Sequence, residues 1–445
     1  TELKEKVRKR KDKNKEQGEE EHIIYSWKQL IEEGKNAIAL GDRQFIDAEV
    51  LGTDPAVILY TSGTTGFAKG VVLTHRNIVD DLMMAPTLLK VHPEDIFFSV
   101  LPVHHTYECT CAFLMPLYKG ASIAFCEGLK YITKNLQEIR PTMLLGVPVL
   151  IETLYKKIWK TAKSEGKDKK LEKLMKLNKK TKKLNINIAK KLAKDILDVF
   201  GGRMRVLISG GAAIDPKILQ FFNDLGIIAV QGYGLTECSP MTALNPDVEK
   251  DMKNESVGHL LPGMKVKIVD ADEEGIGEIC FKGPNVMLGY YNNQEATDEV
   301  LKDGWFHTGD LGRVDTDSFI YITGRKKNVI ITENGKNVFP EELEYELSHI
   351  PYIAESMVWG DNEGEGVNNT TIAATVTLDD EEVKEVLGEE YTDEQAQNLV
   401  WGEIDKINEH LPLFKKIKKL NIRKTDFNKT TGMKIKRFVE SNKDA

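Results

Sequence analysis

The sequence predicts an α/β protein. A large N-terminal domain of sheets flanked by helices carries a β-rich subdomain, and a small α+β C-terminal domain follows. Three observations point there. Apolar runs of four or five residues, AVILY at 56–60, RVLI at 205–208 and IIAV at 227–230, each lead into a Gly-rich turn, as buried strands do. Between 96 and 148 apolar segments alternate with Gly and Pro breaks, the rhythm of layered helix and sheet. From 258 to 290 the strands shorten and Gly turns multiply, and past Gly324 the pattern becomes helix, strand, helix. These shifts place a poorly patterned N-terminal stretch at 1–53, a large domain at 54–324 and a small mobile domain at 325–445. Within the large domain, 150–200 is a basic helical insert and 258–324 the β-rich subdomain.

Taken in order, residues 4–21 are nearly all charged or polar. SWKQLIEEG at 26–34 reads as a short helix with Ser26 as N-cap and Gly34 at its end. The run at 56–60 is a buried strand, 71–73 a second, and Thr74 caps a helix starting near His75. Cys109 and Cys111, one residue apart, fall on one face of a strand. Leu171, Leu174, Met175, Leu177 and Asn178, and then Ile188, Leu192 and Ile196, recur at helical spacing. Further on, 340–347 is helical, 371–378 a strand and 393–409 a helix.

The 445 residues imply more than one domain. A net charge of −8 opposes a basic nucleic-acid binder. The charge is uneven, however. Between Lys156 and Phe200 stand sixteen Lys and five acidic residues, about +11, which leaves about −19 elsewhere. That segment is either a solvated helix face or a surface for anionic lipid or another anionic ligand. No apolar run reaches the roughly 18 residues of a membrane span, and no signal peptide is visible. Five Cys with no C-x-x-C pair read as reduced thiols. The expected location is the cytoplasm, with peripheral contact on the inner face of a membrane.

The strongest local signal is Thr61-Ser62-Gly63-Thr64-Thr65-Gly66-Phe67-Ala68-Lys69-Gly70. Glycines let backbone N–H groups turn toward an anion, four hydroxyls add donors and Lys69 adds charge, which makes a phosphate cradle. It is not a Walker A loop, which needs Gly at 68 and Ser or Thr at 70. Gln231-Gly232-Tyr233-Gly234-Leu235-Thr236-Glu237 supplies an aromatic plate, a hydroxyl and a carboxylate suited to Mg²⁺. Gly304-Trp305-Phe306-His307-Thr308-Gly309-Asp310 ends in an acid able to accept from two ribose hydroxyls, and Gly324-Arg325-Lys326-Lys327 follows a strand.

Together these motifs resemble the adenylate-forming superfamily of acyl-CoA synthetases, peptide-synthetase adenylation domains and firefly luciferase. The likeness runs from about Asp54 to Arg437, with the motifs in the family's order. It is greatest to the long-chain fatty-acid–CoA ligases, through Leu101-Pro-Val-His-His-Thr-Tyr-Glu108, Lys326-Lys-Asn-Val-Ile330, Gly335-Lys-Asn-Val-Phe-Pro-Glu-Glu342 and the basic insert. The resemblance implies that Thr61, Ser62, Gly63, Thr64, Thr65, Gly66 and Lys69 hold the β- and γ-phosphates of ATP. It implies that Gly211 and Ala212 line the adenine pocket with Tyr233 stacked on the ring, and that Gly232 and Gly234 belong to the same nucleotide site. Thr236 would meet the α-phosphate, Glu237 bind Mg²⁺, Asp310 and Arg325 hold the ribose, and His105 stand between acyl pocket and phosphates. The catalytic lysine maps to Lys434, with Lys436 two residues on. Met433 stands where the family's common form has Gly, and Gly432 comes one place earlier. The hinge maps to Lys327, and Gly335 would let the pantetheine arm of CoA pass close to the backbone.

The expected activity is ATP- and Mg²⁺-dependent conversion of a fatty acid to acyl-AMP and then to acyl-CoA, with CoA as co-substrate and no nucleic-acid partner. The alternatives are an aryl-CoA ligase, a carrier-loading adenylation enzyme, or a non-catalytic remnant that binds nucleotide or lipid. Only sixty residues precede Thr61, fewer than in the family. The reading therefore expects part of the supporting scaffold to be absent, with an exposed sheet edge beside AVILY.

Overall fold

The computed structural model describes residues 25–61, 68–181, 198–332, 336–362, 370–429, 435–437 and 439–444. The chain divides into two compact units, Thr1–Leu51 and Gly52–Ala445. In the first, Trp27–Ala39 is a helix whose Ser26 cap and Gln29 side chain exchange hydrogen bonds with each other's backbone N–H groups. The helix passes through Gly34, where the sequence predicts its end. A single helical Gly costs only about 1 kcal/mol, and the left-handed residue just past the helix end is Gly41, at φ 92°.

The second unit opens with an antiparallel pair, β1 (Pro55–Thr61) and β2 (Lys69–Thr74), in which Thr61 faces Lys69. The AVILY run is not buried on both faces. β1 is an edge strand, with Ile58 38% and Tyr60 68% exposed, whereas Val71 and Leu73 of β2 are buried. Thr74 caps helix His75–Met84 in a capping box with Asn77.

Next come β3 (Ile96–Ser99), β4 (Ser122–Phe125), β5 (Met143–Gly146), β6 (Val206–Ser209) and β7 (Ile228–Gly234). They pair in parallel in the order β4-β3-β5-β6-β7. The apolar runs of β5, β6 and the first half of β7 follow from burial on both faces. Phe97, Met143, Leu145, Val206, Ile208 and Val230 enter one core with helix His75–Met84. The alternate residues Phe98, Leu144, Leu207 and Ala229 enter another, against helices Ile132–Ile139, Pro148–Ser164 and Pro216–Asp224. Residues 107–114 form a π-helical turn leading into helix Met115–Lys119, so Cys109 and Cys111 do not lie on a strand. The period-two alternation misleads there: Glu108, Thr110, Cys111 and Ala112 are all buried, as on a helix packed against a sheet.

The basic insert contains helix Pro148–Ser164 and helix Asp168–Thr181, with Leu171 and Met175 packed on the second core. Ile188, Leu192 and Ile196, and the side chains of Leu174, Leu177 and Asn178, lie outside the described residues.

Beyond β7 the sheet turns antiparallel. β8 (Met241–Leu244), β9 (Gly258–Leu260), β10 (Lys265–Val269) and β11 (Gly277–Lys282) follow. β12 (Gly289–Tyr290) leaves to join β2, after which come β13 (Leu301–Lys302), β14 (Trp305–Val314) and β15 (Phe319–Arg325). Among the described residues one twelve-stranded sheet continues β7-β8-β9-β15-β14-β11-β10, with β13 on β14. Past Arg325, β16 (Ile330–Ile331) and β17 (Asn337–Val338) pair. β18 (Ile353–Asn362), β19 (Thr370–Leu378) and β20 (Lys419–Arg423) then form a separate sheet. Helices Pro340–Leu347 and Asp393–His410 cover it through Leu343, Leu347, Val400 and Ile404.

Helix His75–Met84 fastens the loop that leads into β12. Asn77 Nδ2 donates to the carbonyls of Pro284 (2.6 Å) and Val286 (2.9 Å), and Asn285 Nδ2 donates to Asp81 Oδ1 (3.1 Å). Asp81 Oδ2 and Asn285 Oδ1 are both buried without a donor among the described residues. Burial pushes the Asp81 carboxyl up to about 8, against the hydrogen bonds from Asn285 and the Met241 backbone. The folded chain therefore keeps a proton that the unfolded chain releases near pH 4, and stability falls as pH rises from about 4 to 8. Asp81→Asn should match the wild type at pH 5 within about 1 kcal/mol and exceed it by about 2–5 kcal/mol at pH 8. Urea melts at the two pH values check this; a wild-type difference unchanged in the variant would refute it.

Candidate active site

β7 is parallel to β6 through Gln231 and antiparallel to β8 from Gly232, so the Gln231–Glu237 motif begins where the sheet changes sense. Its glycines are demanded by that neighbour. A Cβ on Gly234 would lie 2.1 Å from the Pro240 carbonyl oxygen, and one on Gly232 would lie 3.0 Å from Leu244 Cδ1. With no side chains at 232 and 234, β8 closes against the strand and Tyr233 is held in place.

The Tyr233 hydroxyl donates to Asp310 Oδ2. Burial, then the Asp310 charge, raises the phenol well above its ordinary range, so it stays the donor. Asp310 is buried, and its Oδ1 meets Arg325 Nε at 2.6 Å from the facing position on β15. A bulge aims Asp310. Glu278 pairs with Leu311 and Cys280 with His307, so Ile279 alone stands opposite Thr308, Gly309 and Asp310. Gly309 takes the left-handed conformation, φ 69°, that the extra residues require. The Thr308 hydroxyl donates to the Ile279 carbonyl at 2.7 Å and accepts the Asp310 N–H at 3.0 Å.

A second group forms at the far end of the motif. Thr236 and Glu237 lie on the single 3₁₀ turn Thr236–Cys238. Glu237 Oε1 accepts the Tyr290 hydroxyl at 2.9 Å, and Lys69 Nζ lies 4.8 Å from the centre of the Tyr290 ring. Burial, then Glu237, pushes the Tyr290 phenol up. β12 thus places an aromatic ring between the start of β2 and the motif carboxylate. At the hairpin mouth the Thr61 hydroxyl donates to the Lys69 carbonyl at 3.4 Å. Ser62, Gly63, Thr64, Thr65 and Gly66 lie outside the described residues. A carboxylate oxygen is the hard donor that Mg²⁺ takes. Among the described residues no three His, Cys, Asp or Glu side chains cluster as metal ligands.

The turn after β6 holds Gly211, at φ 85°, followed by Ala212. It rests on Tyr107: a Cβ on Gly210 would stand 2.9 Å from Tyr107 Cζ, and the Tyr107 hydroxyl donates to the Ile208 carbonyl at 3.1 Å. His105 is in the turn just before, its N–H donating to the Pro102 carbonyl at 3.0 Å. Its Nε2 is buried with no partner among the described residues, and burial, then His104, lowers its pKa, which favours a neutral ring. Next to it Glu108 is buried, accepts from the Ser99 hydroxyl and is pushed by burial up to about 7.

Two sets of predicted residues are thus brought together, Tyr233 with Asp310 and Arg325, and Lys69 with Glu237. Lys327 lies on the turn Lys326–Asn328 directly after Arg325. Gly335 and Lys434 lie outside the described residues. A bridge between Lys429 and Ile435 brackets the stretch containing Lys434, and the Lys436 N–H is bound to the Asn428 carbonyl at 2.9 Å. Tyr290 and Glu278 belong to none of the motifs read from the sequence, and Tyr107, though inside the Leu101–Glu108 motif, is given no role by it. Spacing does not reveal these roles, because each acts on a residue far away along the chain.

A family model described as AMP-binding enzyme matches residues 2–291. The long-chain-fatty-acid–CoA ligase FadD15 of Mycobacterium tuberculosis is 30% identical over 431 residues, 89% of this chain and 69% of that protein. Fatty acyl-CoA synthetase A of Dictyostelium discoideum is 33% identical over 367 residues, 78% of this chain and 53% of that protein. Among solved structures, ATP-bound MatB from Rhodopseudomonas palustris has a TM-score of 0.68 at 28% identity, covering 92% of this chain and 72% of that one. The chain therefore spans between 53% and 72% of the length of these three proteins. The motif order, the mixed sheet and these likenesses agree: the chain belongs to the AMP-binding enzyme family, the adenylate-forming ligases.

Proposed function

We propose that the chain joins a long-chain fatty acid to coenzyme A in two steps. The fatty-acid carboxylate attacks the α-phosphorus of ATP, forming acyl-AMP and releasing pyrophosphate. The CoA thiolate then attacks the acyl carbonyl and AMP leaves. The observation that carries the reading is the convergence on one strand end of Lys69, Tyr290 and Glu237 with Tyr233, Asp310 and Arg325. An anion must attack an anion, so charge has to be offset where it gathers. Lys69 and the loop at 61–69 do this at the β- and γ-phosphates. Tyr233 stacks on adenine between Gly232 and Gly234, beside Gly211 and Ala212, and Asp310 accepts from the ribose hydroxyls with Arg325 beside it. Thr236 donates to the α-phosphate, and Glu237 holds Mg²⁺, which would neutralise phosphate charge. Neutral His105 separates acyl chain and phosphates. The likeness to ligases named for long-chain fatty acids supports that substrate class.

ATP–pyrophosphate exchange tests the reading. Exchange should be greatest with long-chain fatty acids, and thioester should form with CoA and not with a carrier protein. Exchange confined to aromatic acids would make the chain an aryl-CoA ligase, and ATP binding without exchange would make it a non-catalytic nucleotide binder.

Residues 325–445 are proposed to turn about Lys327, bringing Lys434 to the site for the first step and the segment with Gly335 to it for the second. Lys434→Ala should slow acyl-AMP formation by about 10²-fold or more and leave thioester formation from supplied acyl-AMP largely intact. Lys327→Pro, which fixes φ and removes an N–H, should do the reverse. Equal losses in both steps for either variant would contradict the assignment.

The basic insert is assigned to an anionic membrane surface, where fatty acids partition. No helix among the described residues is long and apolar enough to cross a membrane, so the contact would be peripheral. Binding to phosphatidylserine vesicles should fall steeply as salt rises, since surface charge is screened over roughly 8–10 Å at physiological ionic strength. Binding that ignores salt, or none at all, would return the segment to a solvated helix face.

A further inference from the structure

The bulge that aims Asp310 leaves the Gly309 N–H without a ladder partner, and a side chain takes it. Glu278 Oε1 accepts that N–H at 3.1 Å. Its Oε2 accepts from Lys326 Nζ at 3.1 Å and faces His307 Nδ1 at 3.4 Å. The carboxylate thus grips the residue before Asp310 and the residue after Arg325. Burial opposes its charge, but Lys326, His307 and the Gly309 N–H outweigh burial and hold Glu278 below the usual carboxylate range. Cys280 Sγ, 3.3 Å from His307 Nδ1, gives the cluster the look of a Cys-His-Glu nucleophile. Burial pushes that thiol up to about 11, so it stays protonated and inert.

We propose that Glu278 is a positioning residue for the nucleotide: as the acceptor for the bulged Gly309 N–H, it fixes the direction in which Asp310 presents its carboxylate. The inference rests on the reading of Asp310 as the ribose acceptor. Of the two arms, the one to Gly309 is decisive. Lys326 is 55% exposed, and an ion pair so placed contributes little, whereas a buried charge-assisted bond to a backbone N–H sets geometry.

Calorimetric titration of the full chain with Mg-ATP, alongside its melting temperature, tests this. Glu278→Ala should raise the Kd for ATP at least tenfold, about 1.4 kcal/mol. Glu278→Gln keeps an oxygen at the same reach without the charge and should stay within threefold of wild type. Glu278→Asp keeps the charge and loses the reach, and should resemble Ala. Lys326→Met should change Kd less than twofold. If Glu278→Ala does not fold, the Gln and Asp variants decide. Wild-type affinity in the Asp variant overturns the proposal, and so does a Gln variant as weak as Asp. A melting-temperature loss with unchanged Kd also overturns it, by making the role merely structural. A wild-type chain that binds no Mg-ATP contradicts the proposed function itself and is thereby distinguished from failure of the Glu278 assignment.

Discussion

Backbone pairing along β7 is the constraint from which the site's geometry follows. One strand must satisfy β6 in parallel over its first half and β8 antiparallel over its second. The change of sense brings a parallel, two-face-buried half-sheet against an antiparallel half-sheet of hairpins. The Gly232–Glu237 segment therefore lies where the two meet. Gly232 and Gly234 are consequences, since a side chain at Gly234 would meet the Pro240 carbonyl. Tyr233, left between them, can then reach Asp310 across the sheet. The 3₁₀ turn that follows places Glu237 against Tyr290.

Four buried carboxylates of this fold are treated in two ways. Asp310 and Glu278 are each given a cation, Arg325 and Lys326 respectively, and their remaining lone pairs meet O–H or N–H donors. Asp81 and Glu108 each keep an oxygen with no donor among the described residues, and burial drives their pKa values to about 8 and about 7. Lys326, His307 and the Gly309 N–H keep Glu278 a charged acceptor, below the usual carboxylate range. Asp81, under the loop into β12, and Glu108, beside the turn that carries His105, lack such a cation, and burial favours their protonated forms.

What could be read from the sequence was local or periodic. The β5, β6 and β7 runs are apolar throughout because alternate residues enter two cores, and that signature survives in the sequence. Ser26 and Thr74 announce their helices because a cap acts three residues away. Where two distant segments decide, the sequence is mute. β1 looks like β6, but one face of AVILY is left exposed by its place at a sheet edge. The stretch from Tyr107 to Leu114 alternates like a strand yet winds as a helix, because packing on β3 and β5 overrides local preference. Tyr290 lies 53 residues from Glu237, and Glu278 acts through a bulge defined only by the register of two strands. The motifs locate nucleotide chemistry, and the parts that orient them come from elsewhere in the chain.

The facing of Thr61 and Lys69 has a consequence in chain statistics. Seven residues, 62–68, are enclosed by a strand pair that folding has already brought together. Closure entropy grows only with the logarithm of loop length, about 0.6 kcal/mol for each doubling. The hairpin would therefore tolerate extra residues at its mouth with little loss of stability. Under the proposed function, loop length is then set not by thermodynamics of the fold but by reach, since the loop at 61–69 is proposed to hold the β- and γ-phosphates of ATP. On that proposal, insertions in this segment would leave a folded chain with weakened nucleotide binding, so stability and binding would be separable at this one loop.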